Sequence, residues 1–186
     1  VVDSYLADRA YLGTLAKARW RTVLVSDFNP AVASGVDAVI DFTIEAETLA
    51  YCARRAYLGP RFYLNKPEFA EIRERNLKAS KREVRDVLLL IGRFQGNAAP
   101  VNVLLRGLDR ACRNASIRLV RPPGVDPTRL AALDRNDLEL MEATPFLERL
   151  YAEADLVVSG GRLVKYESIY CAIPNLSFSR TPKQRE

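Results

Sequence analysis

The chain has 186 residues, 48% apolar and 27% charged, the balance of a soluble globular protein long enough for one large or two small cores. It contains no histidine, which excludes a histidine base, nucleophile or metal ligand within it. No apolar run approaches the roughly 20 residues of a membrane span, no secretory pattern opens the sequence, and Cys52, Cys112 and Cys171 are widely spaced without a C-x-x-C pair; together these predict a reducing, cytoplasmic setting.

Short apolar runs alternate with amphipathic stretches, the pattern of a mainly parallel α/β sheet. Val1-Val2-Asp3 reads as the end of a strand; with no Met before it, the chain is expected to be part of a longer protein. Tyr11 to Trp20 reads as a helix, and 22–26 and 38–41 as strands. Glu45 to Arg55 reads as a second helix, stopped by Gly59-Pro60, with a short strand at Phe62-Tyr63-Leu64. From Arg61 to Arg85 eight Lys/Arg face four Glu, so +4 of the net charge of +5 sits in one segment. Charge patterning favours a solvated connecting helix there over a nucleic-acid surface.

A second series follows. It comprises an apolar strand at Val87 to Ile91, a helix at Ala99 to Cys112, a strand at 117–120, a short helix from Pro127 to Leu133 and a strand at 138–140. A helix from Pro145 to Glu153, a strand at 155–159, a helix at 162–172 and a strand at 175–178 complete it. Residues 1–65 are therefore expected to close one lobe, 66–84 to connect, and 85–186 to form a second lobe.

The chemistry concentrates near the end of this series. Strand 155–159 runs into Gly160-Gly161, and ligands of parallel sheets bind at the carboxyl ends of strands. Glycine lets backbone approach a phosphate, and the following helix aims its N–H groups and positive dipole end at the same place. Arg162 and Lys165 stand in that helix's first turn, where a cation is unfavourable by about 0.3–1 kcal/mol unless an anion is bound. Glu167, seven residues after Gly160, is spaced either to accept hydrogen bonds from the two hydroxyls of a ribose or to pair with a surface base.

Four places resemble a known family in order and spacing. They are Val1-Val2-Asp3-Ser4-Tyr5, Leu58 to Phe62 with Pro67-Glu68-Phe69, Ala154-Asp155-Leu156-Val157 through Glu167, and Ala172-Ile173-Pro174. The chain resembles the UDP-diacetamido-trideoxy-sugar hydrolases of pseudaminic acid synthesis and their relatives in spore-coat polysaccharide synthesis. More distantly it is similar to the GT-B transferase that adds N-acetylglucosamine to the lipid-linked peptidoglycan precursor. The resemblance implies a GT-B-like α/β fold of two Rossmann-like lobes, with helices on both faces of mainly parallel sheets and the N-terminal lobe incomplete. It implies UDP in the C-terminal lobe, with Gly160, Gly161 and Arg162 near the diphosphate, Glu167 on the ribose, and backbone around Phe146, after Thr144, at uracil. Tyr5, with Lys183 and Gln184, would lie on the sugar side of the cleft.

The chain departs from that family in several places. The family's catalytic histidine has no counterpart in it. Gly92-Arg93 begins a loop where the family has Gly-Gly-Ser/Thr-Asp, keeping one glycine and adding a cation able to hold phosphate. Ala172 stands where the family has glycine. The expected function is that of a UDP-sugar-dependent hydrolase or glycosyltransferase of bacterial surface-glycan synthesis, acting on a UDP-sugar with water or a carbohydrate acceptor. No metal, other cofactor or nucleic acid is expected, and the sequence as given is expected to be inactive alone. The alternative is a nucleotide-sugar-binding relative without catalysis, or a structural partner subunit.

Overall fold

Strands and helices alternate as the patterning requires, and the computed structural model assembles them into two α/β units, Val1–Leu64 and Asn65–Arg185. It describes residues 1–4, 6–26, 35–79, 83–92, 98–130, 138–161 and 163–179. No helix among them is long and apolar enough to cross a membrane.

The first unit holds helix α1 (Arg9–Lys17) and a three-stranded parallel sheet in the order β1 (Val23–Val25), β2 (Ala38–Asp41), β3 (Arg55–Leu58). Val2 adds a parallel bridge to Leu24. Asp8 caps α1 by accepting from the Tyr11 N–H at 2.8 Å, and Leu12 is carried into a core of Leu24, Val36 and Val39. The expected helix over 45–55 does not form. Only a 3-10 turn occurs, at Ala46–Thr48, and Arg55 already belongs to β3. Tyr51 decides the matter: its hydroxyl bonds the buried Asp41 carboxylate, which also accepts from the Thr43 N–H at 2.9 Å and hydroxyl at 2.7 Å. The expected strand at 62–64 is likewise replaced by a 3-10 turn, Pro60–Phe62, entered through Gly59 at φ +94°.

The second unit is a five-stranded parallel sheet in the order β6 (Leu138–Met141), β5 (Ser116–Val120), β4 (Asp86–Leu90), β7 (Leu156–Ser159), β8 (Asn175–Ser177). The central strand β4 is buried on both faces, as an all-apolar run predicts. Val87 and Leu89 pack with Val101, Leu105 and Leu108 of α3 (Ala99–Ala111). Leu88 and Leu90 pack on the other face with Phe69 and Ile72 of α2 (Glu68–Lys78) and Leu150 and Tyr151 of α4 (Leu147–Glu153). Helix α5 (Leu163–Tyr170) joins β7 to β8.

Residues 66–84, read from sequence as a connection, thus contribute a helix to the core of the second unit. The basic excess of that segment also has a local use. Arg73 donates to the Tyr170 carbonyl at 2.8 Å, Arg75 to the Ala152 carbonyl, and Asn76 to the Cys171 carbonyl at 2.9 Å. These are the last carbonyls of α5 and α4, which lack partners within their own helices and carry negative partial charge.

Candidate nucleotide site

The strand order of the second unit reverses between β4 and β7: the chain runs outward from β4 through β5 to β6, then returns to lay β7 on the other side of β4. Open parallel sheets bind ligands at such a switch point, outside the carboxyl ends of the strands. Gly92 and Gly160 follow those two strands. Leu90 and Ser159 are in register, and the Gly160 N–H donates to the Leu90 carbonyl at 3.1 Å. The backbones are so close that a Cβ on Gly160 would stand 2.8 Å from the Ile91 carbonyl oxygen. Gly161, at φ +80°, and Gly92, at φ +67°, turn the chain in the left-handed region, which glycine adopts without steric cost.

Beneath this turn lies a polar cluster that sequence reasoning did not single out. Ser159 is fully buried; its hydroxyl lies 3.1 Å from that of Ser177 and accepts from the Gly161 N–H at 3.4 Å. Asn175 reaches both Ser159, at 3.4 Å, and the buried Ser168 of α5, at 2.8 Å. A serine ending an apolar strand run was the available signal.

Helix α5 begins at Leu163, directly after the turn. Its first-turn Lys165 is buried, with Nζ 5.0 Å from the centre of the Tyr166 ring. Glu167 stands in the second turn, half-buried, and accepts from the Tyr151 hydroxyl at 2.8 Å. It also raises the pKa of Cys171, one turn on. That thiol is pushed up to about 12, first by burial and then by the Glu167 charge, with Arg73 opposing.

Thr144 and Phe146 lie between β6 and α4, on the same carboxyl side of the sheet as the glycine turns. The Thr144 hydroxyl accepts from the Phe146 N–H at 3.1 Å, and the Phe146 ring is 55% exposed under the Arg149 guanidinium, 5.5 Å away. Lys66, not singled out from sequence, anchors this segment through the Pro145 carbonyl at 2.9 Å and Glu148 at 3.3 Å. The Glu148 carboxyl is held below its ordinary pKa by its own backbone N–H at the start of α4, and also by Lys66 and Arg149.

The glycine turns, Thr144 and Phe146 therefore share the carboxyl side of one sheet, and Glu167 stands midway along the helix that starts there. Tyr5, Arg93, Arg162, Lys183 and Gln184 lie outside the described residues. Among the described residues, no group of three or more His, Cys, Asp and Glu side chains is placed to hold a metal ion. The chain matches no protein-family model and no curated protein.

Proposed function

We propose that the second unit binds the UDP moiety of a nucleotide sugar, and that the chain is part of a GT-B-like, UDP-sugar-dependent hydrolase or glycosyltransferase of bacterial surface-glycan synthesis. The observation that carries this reading is the β4/β7 switch point. Its two strands end in glycine turns, a helix starts directly behind one of them, and a carboxylate follows in that helix's second turn. The positive end of α5, which starts behind the turn, suits a diphosphate, and Glu167 suits the two hydroxyls of a ribose. The exposed Phe146 ring offers a face for a base.

In this reading water or an acceptor hydroxyl attacks the anomeric carbon, the bond from that carbon to the diphosphate oxygen breaks, and UDP leaves with the bonding pair. The attacking oxygen gives its proton to a general base. The start of α5, behind the turn, then stabilises the charge gathering on the leaving diphosphate. Arg162 and Arg93 are assigned to the same charge, and Tyr5, Lys183 and Gln184 to the sugar side.

Isothermal titration with UDP tests the site. Glu167→Ala is expected to weaken binding by about 10- to 150-fold, the worth of hydrogen bonds to a charged group. Affinity equal to wild type would sink the ribose assignment. The lack of any histidine favours a second reading, a nucleotide-sugar-binding protein without catalysis. UDP release from a panel of UDP-sugars, measured with and without acceptor, separates the two.

A further inference from the structure

Tyr151 raises a question that its burial sharpens. The side chain is 0% exposed, its ring meets Phe69 edge-on with centroids 5.6 Å apart, and Leu88, Leu90 and Val157 surround it. A phenylalanine would bury the same ring without carrying a hydroxyl out of water. A buried hydroxyl is tolerated only where it is hydrogen-bonded. Here it donates to Glu167 Oε2 at 2.8 Å, so the polar tip of a core residue ends on the carboxylate assigned to the ribose.

The two residues occupy equivalent places. Tyr151 is the fifth residue of α4 and Glu167 the fifth of α5, and both helices start at the carboxyl side of the sheet. A glutamate side chain has three torsions to fix before it can meet two hydroxyls together. A hydrogen bond from a core-locked donor fixes them before the ligand arrives, and preorganisation of this kind appears as affinity.

Resting on the nucleotide reading above, we propose that Tyr151 is a positioning residue: its buried phenol aims the Glu167 carboxylate at the ribose diol and so sets the preference for a ribonucleotide over a 2′-deoxyribonucleotide. The donor is neutral and the acceptor charged, which makes the contact stronger than a neutral pair. Sequence shows only the helical spacing of Leu147, Leu150, Tyr151 and Ala154, which reads as core.

The test is the ratio of two affinities, a quantity that a purely structural role leaves unchanged. UDP and 2′-deoxy-UDP are titrated against the wild-type chain, Tyr151→Phe, Glu167→Gln and the double variant. The wild type should prefer UDP by about tenfold or more. Tyr151→Phe should cut that ratio by about three- to tenfold, with 2′-deoxy-UDP, which keeps only the 3′-hydroxyl, losing less affinity than UDP. Adding Tyr151→Phe to Glu167→Gln should cost nothing further, because both act on one interaction. Tyr151→Met, a second apolar filling, should give the same loss of ratio as Tyr151→Phe. A full ratio retained in a folded Tyr151 variant overturns this inference and leaves UDP binding standing. A wild type that ignores UDP, or that binds both nucleotides equally, overturns the ribose reading and this inference with it.

Discussion

The two ends of the five-stranded sheet are built differently. At the amino end, side chains tie the backbone down. Asp155 accepts from the N–H groups of Arg85 and Asp86 at 3.0 and 3.1 Å, clamping the start of β4 to the start of β7. Arg73, Arg75 and Asn76 bond the last carbonyls of α4 and α5. At the carboxyl end, β4 and β7 run out into glycine, and the side-chain bonds of Ser159, Asn175 and Ser168 lie below the turn. One end spends its polar groups on holding the unit together. At the other, the two backbones close on one another at the buried Gly160 and Gly161, and Gly92 is exposed. Mutations at the amino end should therefore change stability and leave UDP affinity alone, whereas mutations at the carboxyl end should change both.

The strongest attempt to break this contrast is Gly160→Val. The added Cβ meets the Ile91 carbonyl at 2.8 Å, and a backbone atom directly after a central strand cannot rotate away as a side chain would. We expect a loss at the upper end of the about 1–3 kcal/mol usual for overpacking, with UDP binding abolished in whatever folds. Urea unfolding and titration measure both. Unchanged UDP affinity in the folded variant would remove the turn from the site. Next in size, Asp155→Ala strips the acceptor from two backbone donors at the other end of the same strands. It should cost about 1–2 kcal/mol, since the exposed Arg85 N–H and the half-buried Asp86 N–H gain water in exchange. Its UDP affinity should match wild type, and a matching loss of affinity would show that the two ends are not independent.

Much of the second unit was legible in the sequence because burial on both faces leaves an unbroken apolar run. Val87 to Ile91 and Leu156 to Val158 could hardly be anything but central strands. The first unit was less legible where tertiary partners overrule local preference. Glu45 to Arg55 has helical composition, but Tyr51 is held by Asp41 and Arg55 pairs with Ala38, both far along the chain from a local window. The same limit applies to the site. Gly160, Gly161 and Glu167 stand out by type and spacing within a single β-turn-α unit. Tyr151 and Lys66 do not, because their roles arise from contacts 16 and 79 residues away. The basic run from Arg61 to Arg85 was visible, but two of its cations, Arg73 and Arg75, meet helix-end carbonyls, which sequence does not display as charge.

The smallest expected effect is a gain. Helix α5 ends in a Schellman motif: the Ile173 N–H reaches the Ser168 carbonyl at 2.9 Å, the Ala172 N–H reaches the Ile169 carbonyl at 3.0 Å, and Pro174 prevents the helix from continuing. The motif requires a left-handed residue, and Ala172 supplies it at φ +56°. An alanine Cβ in that region crowds the following carbonyl, at a cost of roughly 1–2 kcal/mol that glycine escapes. Glycine also loosens the unfolded chain, which takes back about 0.4–1 kcal/mol. Ala172→Gly should therefore stabilise the protein by up to about 1 kcal/mol, seen as a higher urea midpoint at constant slope. Ala172 lies at the amino end of β8, away from the glycine turns, so UDP affinity should stay at the wild-type value. A stabilised variant with altered affinity would couple the end of α5 to its beginning. An unchanged midpoint would mean that the helix end relaxes around the methyl group.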